Sequence, residues 1–524
     1  MARKEFHTEW HDKGALGAVK NVLLSFTRWS AYQMAVCVVS LGALALLLEF
    51  VFLAGGGLTV ANYLRFELDE GADMYPEVIM ASKLAQDVGE RDLVHLSLLH
   101  EACLNHNDSV IPWTYGLNGN VAASSASSSN GLLHRDDPNL IDKIRQCPDV
   151  DLFLPAHIRS HGYCEDSIAY TKFLKSRMLP AWAVEMTYVD KATGKKLTYH
   201  DLCPKTPMIF FNHYWDGIPN SPDWPLEKPL YLMANIEMYE LQAKHYWGVD
   251  VVLCKTAICA RRVRLWYEQE GNPRNTKVFY TRHTSSDVAT FARHQLGAAA
   301  IGRKNFSDVS FVHAVGTSVQ KGTAAVLECW LKRPDFPKLT IYMHPDVYTA
   351  NMRKAFDARI QKSQVKMELG RVEANEFGKI IAEASFFLCT SLHEGYGHYI
   401  NQARASGAVI VTTDVPPMNE FLTPASGILV HSTRRVAKEQ LLGGGYMGEY
   451  GLKNVRGLTA KFTGRDVCEA VERVLKMTAE ECEAMALRAK TQYFVDMNFF
   501  AHKMDELRAY ARTNKAHLRA SLEE

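Results

Sequence analysis

The rhythm of apolar and polar positions changes along the chain, and each change predicts an element. Residues 34–54 read MAVCVVSLGALALLLEFVFLA, apolar on every helical face with Glu49 near one end. At about 1.5 Å per residue such a helix crosses a bilayer core. Residues 56–145 mix acidic helical stretches with SSASSSNG at 124–131 and sustain no alternation of strands and helices. They read as a stem or linker, with a capping subdomain packed on the body as the rival. From residue 149 the run VDLFLPA, the loop HIRSHGYCED and the amphipathic DSIAYTKFLKSRM make strand, loop and helix. The apolar runs WAVEMTY, PMIFFNHY, PLYLMANIEM, VDVVLCKT and TKVFYT follow, with the helical ICARRVRLWYEQEG between the last two. Strands alternating with helices predict a parallel sheet covered on both faces.

The cycle restarts with VSFVHAV, the loop GTSVQKG and the helical TAAVLECWLKR. KLTIYMHP, VYTANMRKAFDARIQK, VKMELG, EANEFGKIIAEA, SFFLCTS, YINQARASG and AVIVTTD complete a second doubly wound unit. The run from residue 478 keeps helical period without Gly or Pro and predicts one or two long closing helices. The expected fold class is therefore α/β, with two Rossmann-like doubly wound domains facing across a cleft and one transmembrane helix before them. The expected divisions are a tail over 1–30, an anchor over 31–55, a stem or accessory region over 56–148, Rossmann-like domains over 149–300 and 301–478, and closing helices over 479–524.

Composition adds little to this picture and charge adds a direction. The 524 residues, 47% hydrophobic and 22% charged, are those of a folded globular protein. A formal charge of +1 gives no global basic field and disfavours nucleic acid as a partner. Arg3, Lys4, Lys13, Lys20 and Arg28 precede the apolar run, whereas Glu67, Asp69, Glu70 and Asp73 follow it. The positive-inside tendency then keeps the N-terminus cytosolic and puts the rest in a secretory lumen, as a single-pass type II protein of the endoplasmic reticulum or Golgi. No small-residue cleavage site clearly follows the run, so the anchor is expected to be retained. The 11 cysteines are scattered without C-x-x-C pairs. One or two disulfides are expected, with no readable pairing. Asn107-Asp-Ser and Asn305-Phe-Ser match the glycosylation sequon.

Open parallel sheets bind ligands at the carboxyl ends of their strands, where helix N-termini present unpaired N–H groups. The richest such loop is SLHEGYGHYINQARASGAVIVTTDVPPMNEF, from Ser391 to Phe421. Glu394 at the strand end can accept hydrogen bonds from sugar hydroxyls, and the helix start behind Gly395, Tyr396 and Gly397 can receive a diphosphate. This run resembles the donor-site signature of the group-1, family 4-like retaining glycosyltransferases, whose fold is called GT-B. Glu394, Gly395, Tyr396 and Gly397 match its Glu-Gly-aromatic-Gly, and Ala403, Ser406, Gly407 and the strand at 408–411 continue it. Gln402 stands where the family carries a second carboxylate that clamps the nucleotide ribose.

HAVGTSVQKGTAAVLECW is similar to the family's Gly-Arg-…-Lys-Gly loop through Gly316, Lys321 and Gly322, with Thr317 in place of the arginine. The resemblance implies that Lys321 sets a cation on the donor diphosphate and stabilises the departing nucleotide. It further implies that Gly370 and Arg371 border the base, that Glu420 reaches the donor, that Gly162 lies in a glycine loop near the phosphate, and that His213 stands near the transferred sugar. Arg282, at the junction of the halves, is the candidate substitute cation, with a plain hinge arginine as the rival. NIEMYE at 235–240 and TSSD at 284–287 read as loops over the cleft without an assigned role.

The implied activity is transfer of a sugar, with retention, from a UDP- or GDP-linked donor to a glycan, protein or lipid acceptor. Glu394, Lys321 and His213 would be its catalytic residues, and neither metal nor cofactor is implied. A degenerate GT-B protein that binds a glycan or nucleotide sugar without turnover is one alternative, motivated by Gln402 and Thr317. A sugar-nucleotide epimerase or a phosphorylase is the other.

Overall fold

The computed structural model describes residues 88–117, 131–212, 217–238, 241–435, 442–445 and 448–513, with scattered helical positions between 36 and 44. Most of the expected membrane span falls outside them. No helix among the described residues is long and apolar enough to cross a membrane.

The first sheet is built from β1 (Ile111–Pro112), β2 (Asp151–Phe153), β3 (Arg177–Leu179), β6 (Met208–Phe211), β7 (Leu230–Met233), β8 (Val251–Cys254) and β9 (Lys277–Tyr280). A separate small hairpin pairs β4 (Tyr188–Val189) with β5 (Lys196–Leu197). The sheet order is β1-β3-β2-β6-β7-β8-β9. All its pairs are parallel except β1 against β3. The apolar runs MIFF, LYLM and VVLC are buried at every position, as strands covered on both faces must be. The chain steps outward from β2 to β3 and then returns to β6, so the strand order reverses at β2 and β6.

The second sheet contains β10 (Phe311–Gly316), β11 (Leu339–Met343), β12 (Val365–Leu369), β13 (Phe386–Cys389), β14 (Val409–Thr413) and β15 (Ile428–Val430). Its order β12-β11-β10-β13-β14-β15 is the 3-2-1-4-5-6 arrangement of dinucleotide-binding sheets, parallel throughout. Its reversal lies between β10 and β13. Beyond it, β16 (Thr433–Arg435) pairs antiparallel with β17 (Thr459–Lys461).

A single helix, Ala479–Thr513, 35 residues long, closes the structure. Cys482, Met485 and Ala486 pack into the core of the second sheet, whereas Tyr493, Met497, Phe500, Met504 and Leu507 pack into the core of the first. One uninterrupted helix therefore belongs to both halves. Its Asp496 is 7% exposed and lies between Arg282 of the junction and Arg404, whose Nη2 donates to Asp496 Oδ2 over 2.7 Å.

Three sequence expectations change. Residues 88–117 and 131–148, expected as part of a stem, belong to the N-terminal body, the arrangement given above as the rival. The helix Glu90–Asn105 buries Leu93, Leu96 and Leu99, and Ile111 extends the sheet edge. The run WAVEMTY makes the short buried helix Ala181–Glu185, started by Pro180, in place of a strand. Cysteine pairing is denser than expected, with disulfides Cys103–Cys164, Cys147–Cys203, Cys254–Cys259 and Cys329–Cys468 among the described residues. Three of these four join cysteines more than fifty residues apart, which meet only after folding.

Replacing Asp496 with Ala leaves two buried guanidinium groups without the carboxylate they share. The expected loss is about 3–5 kcal/mol of stability, read as a lowered denaturant midpoint.

Candidate active site

The carboxyl edges of the two sheets face each other. The helix that follows β2, His161–Phe173, meets the helix His398–Ser406 that follows β13. The helix that follows β8, Ala257–Glu270, meets the loop after β14 through Glu420. The loop after β7 lies against Gly395. Both strand-order reversals thus open on one seam, where a doubly wound sheet binds its ligand.

Lys321 and Glu394, two of the site residues expected from the sequence, come together at this seam. The loop after β10 carries Lys321, the loop after β13 carries Glu394, and these strands are neighbours at the reversal. Lys321 Nζ donates to Glu394 Oε1 and lies 3.9 Å from the centre of the Tyr399 ring. Ser391 Oγ donates to the same carboxylate oxygen, and Tyr399 and Ser391 share a hydrogen bond of 2.6 Å. Leu392 N–H donates to Gln320 O over 2.7 Å, which ties the two loops by their backbones. Both side chains of the pair are 14% exposed, so the charges are sheltered yet reachable.

Gly316 and Thr317 are exposed just behind Lys321 at the end of β10. Gly370 and Arg371 are exposed at the end of β12, on the same edge but two strands away. Gly162 lies in the first turn of the helix after β2. Gly397 caps the helix His398–Ser406 in left-handed backbone. His213 lies outside the described residues.

Four other candidates have structural partners, and these redefine their roles. Tyr396 is 3% exposed, donates to His283 O over 2.7 Å and packs edge-on against His283 and Phe421, so its ring belongs to the seam. Gln402 Nε2 donates to Glu165 Oε1 over 2.8 Å, a bond to the N-terminal half at the position expected to clamp a ribose. Glu420 accepts the N–H groups of Ala257 and Ile258 over 2.8 and 2.9 Å, capping a helix of the opposite half. Burial pushes its carboxyl up to about 7 against those two bonds. Arg282 pairs with Asp496 and stacks on Phe499 at 5.1 Å, the hinge reading of the two given above.

The seam also holds a buried polar centre that sequence reasoning missed. Asp166 Oδ1 receives Lys255 Nζ at 2.6 Å and His398 Nε2 at 3.0 Å, with His283 Nε2 at 3.3 Å. Ser285 Oγ bonds the other nitrogen of His398 at 2.8 Å. Burial alone would raise the Asp166 carboxyl, but Lys255 and the two imidazoles hold it well below the usual range. Burial also lowers His283 to about 4, keeping it neutral at physiological pH. One carboxylate and two imidazoles are a metal-ligand set by type, but here the Lys255 ammonium already fills the cationic place. The only sequence signal was position: Lys255 and His283 follow β8 and β9 and His398 opens the helix His398–Ser406, whereas Asp166 lies inside the helix His161–Phe173 and gave no signal.

No protein-family model matches the chain. It is similar to the GDP-mannose:cellobiosyl-diphosphopolyprenol alpha-mannosyltransferase of Xanthomonas oryzae pv. oryzae (strain PXO99A), 28% identical over 119 residues, 22% of this chain and 31% of that protein. The protein of the same name from Xanthomonas campestris is 28% identical over 122 residues, 22% of this chain and 32% of that one. The chain thus spans about a third of the length of the curated relatives it matches. Among solved structures it is similar to a sucrose-phosphate synthase from Thermosynechococcus elongatus, with a TM-score of 0.46 and 11% identity over 70% of this chain and 99% of that one. An alpha,alpha-trehalose 6-phosphate synthase from Burkholderia multivorans gives a TM-score of 0.41 and 11% identity over 59% of this chain and 72% of that one.

Gly322 closes the Lys321 loop in left-handed backbone, φ 67°, and a Cβ there would run into the Thr390 carbonyl and lie 2.6 Å from the Phe462 ring. Gly322→Ala is expected to cost at least about 1–2 kcal/mol from the backbone alone. The measurement is thermal unfolding, and an unchanged melting temperature would contradict the close approach.

Proposed function

We propose that this protein is a nucleotide-sugar-dependent glycosyltransferase of GT-B, family 4-like type, with its donor site in the seam. One observation carries the reading: Lys321 and Glu394, the cation and carboxylate that the family signature implies, meet where the second sheet's strand order reverses. In this reading the Lys321 ammonium and the N–H groups opening the helices Thr323–Trp330 and His398–Ser406 neutralise the diphosphate as the glycosidic bond breaks. Glu394 accepts hydrogen bonds from the sugar, and Gly370 and Arg371 border the base. Transfer with retention, and without a bound metal, follows from the family resemblance. The Lys255 ammonium supplies positive charge in the seam and is consistent with that mode. The donor is a UDP- or GDP-linked sugar; the GDP-mannose in the names of the curated relatives favours GDP. The acceptor is a glycan, protein or lipid.

An N-terminal anchor and a lumenal catalytic body, in the endoplasmic reticulum or Golgi, complete the proposal. The disulfides support an oxidising compartment, since such bonds are rare where thiols are kept reduced. A binding protein without turnover is the second reading, favoured by the use of Gln402 on Glu165. Release of free nucleotide from a nucleotide sugar separates the two.

Glu394→Ala and Lys321→Ala are each expected to lower sugar transfer by about 10²–10³-fold while the melting temperature changes little. Near-normal transfer by either purified variant would refute the assignment. Secretory expression is expected to place a glycan on Asn305, since Asn305 and Ser307 are both exposed, whereas Ser109 of the other sequon is buried. Loss of one glycan's mass in Asn305→Gln checks this.

A further inference from the structure

The NIEMYE loop has no role in the site described so far. It follows β7 and carries Asn235 and Glu237 against the turn that holds Glu394. A Cβ at Gly395 would lie 2.5 Å from Glu237 Oε1 and 2.7 Å from Asn235 Oδ1, so both oxygens touch the turn where only glycine leaves room. Asn235 is 8% exposed, and Asn235 Oδ1 and Glu237 Oε2 are buried atoms with no hydrogen-bond partner. Two orphaned buried oxygens in one short loop are costly, because each gives up water and gains nothing in return. The Asn235 backbone itself is fixed, its N–H donating to Asn212 Oδ1 over 3.3 Å and its carbonyl accepting from Met238 over 3.1 Å. The start of the loop is therefore held in place by its backbone.

We propose that Asn235 and Glu237 bind hydroxyl groups of the transferred sugar and hold it against Glu394, which makes the N-terminal half a determinant of donor-sugar choice. This rests on the reading of the seam as a donor site. Sugar hydroxyls are donors and acceptors at close spacing, the chemistry that an amide oxygen and a carboxyl group beside the Glu394 carboxylate would satisfy. Burial pushes the Glu237 carboxyl up to about 7; Lys255 opposes the rise, and Glu394 and Asp166 add to it. The Tyr246 phenol, itself raised by burial, also faces this carboxyl. Below about 7 the neutral acid donates one hydrogen bond and accepts others, and above it the carboxylate only accepts. Sugar binding that uses the acid's proton therefore weakens as pH rises through about 7.

The test measures binding of UDP, GDP, UDP-glucose and GDP-mannose to the full chain, with Glu237→Ala, Asn235→Ala and Glu237→Gln beside the wild type. Both alanine variants are expected to bind the free nucleotide as the wild type does and to lose about tenfold or more in affinity for the sugar conjugate. Glu237→Gln, which keeps a neutral donor and acceptor in the same shape, is expected to retain sugar binding and to flatten its fall with pH. Equal wild-type and alanine affinities for the conjugate, or an unchanged pH dependence in Glu237→Gln, would overturn the proposal. If the alanine variants fail to fold, the glutamine variant carries the test. Wild-type protein that binds none of the four ligands would overturn the donor-site reading itself, and this proposal with it.

Discussion

Asp166 is the charge on which the seam depends. A carboxylate removed from water is tolerable only where opposite charge and hydrogen bonds replace the lost hydration. Its partners come from both halves: Lys255 and His283 from the first sheet and the junction, His398 from the helix after the glycine turn. Because His398 opens that helix, satisfying Asp166 fixes where the helix begins. The turn from Glu394 to Gly397 immediately precedes it, so its position follows from the same interaction. The placement of Glu394 beside Lys321 is thus set partly by a residue more than two hundred positions earlier in the chain.

The other contacts across the seam repeat this logic. Glu420 supplies acceptors to a helix N-terminus that would otherwise present unsatisfied N–H groups, and Gln402 binds a glutamate that Ser286 also satisfies. In each case a polar group of one half completes a polar group of the other. The seam is therefore specific in register, which a purely apolar contact between two sheets would not be. On the proposed reading, that register lets Asn235 and Glu237 on one side and Glu394 on the other act on the same sugar.

Elements whose signal is local were legible in the sequence. The second sheet could be read strand by strand from VSFVHAV to AVIVTTD, because five- and six-residue apolar runs between helical stretches have few other interpretations. The two-residue strand Ile111–Pro112 and the three-residue strand Ile428–Val430 were too short to carry a period. Lys321 and Glu394 were singled out because each stands in a loop that resembles the family signature, and the structure puts the two loops on neighbouring strands. Arg282, Gln402 and Glu420 look alike at that level, as polar residues near strand or helix ends, and only their partners distinguish them. Those partners, Asp496, Glu165 and the Ala257 backbone, lie far away in sequence. Asn235 and Glu237 gave the signal that could have found them, polar residues directly after a buried strand, but nothing local told an acceptor waiting for a ligand from a loop residue facing water.

The cross-links bear on how the seam can work. Among the described residues, Cys103–Cys164, Cys147–Cys203 and Cys254–Cys259 lie within the N-terminal half, and Cys329–Cys468 lies within the C-terminal one. None joins the two. Each body is stapled on its own, while the seam is held by hydrogen bonds, ion pairs and the long closing helix, all of which can rearrange without breaking a covalent bond. The partners of Asp166, Glu165 and Glu420 define one register for the two halves, and the apolar cluster that joins Ala289 and Ala292 to Ile381 and Ala382 packs beside them. On the proposed reading, a donor site between the halves holds the diphosphate away from bulk water, the condition under which the Lys321 ammonium acts most strongly on a departing diphosphate.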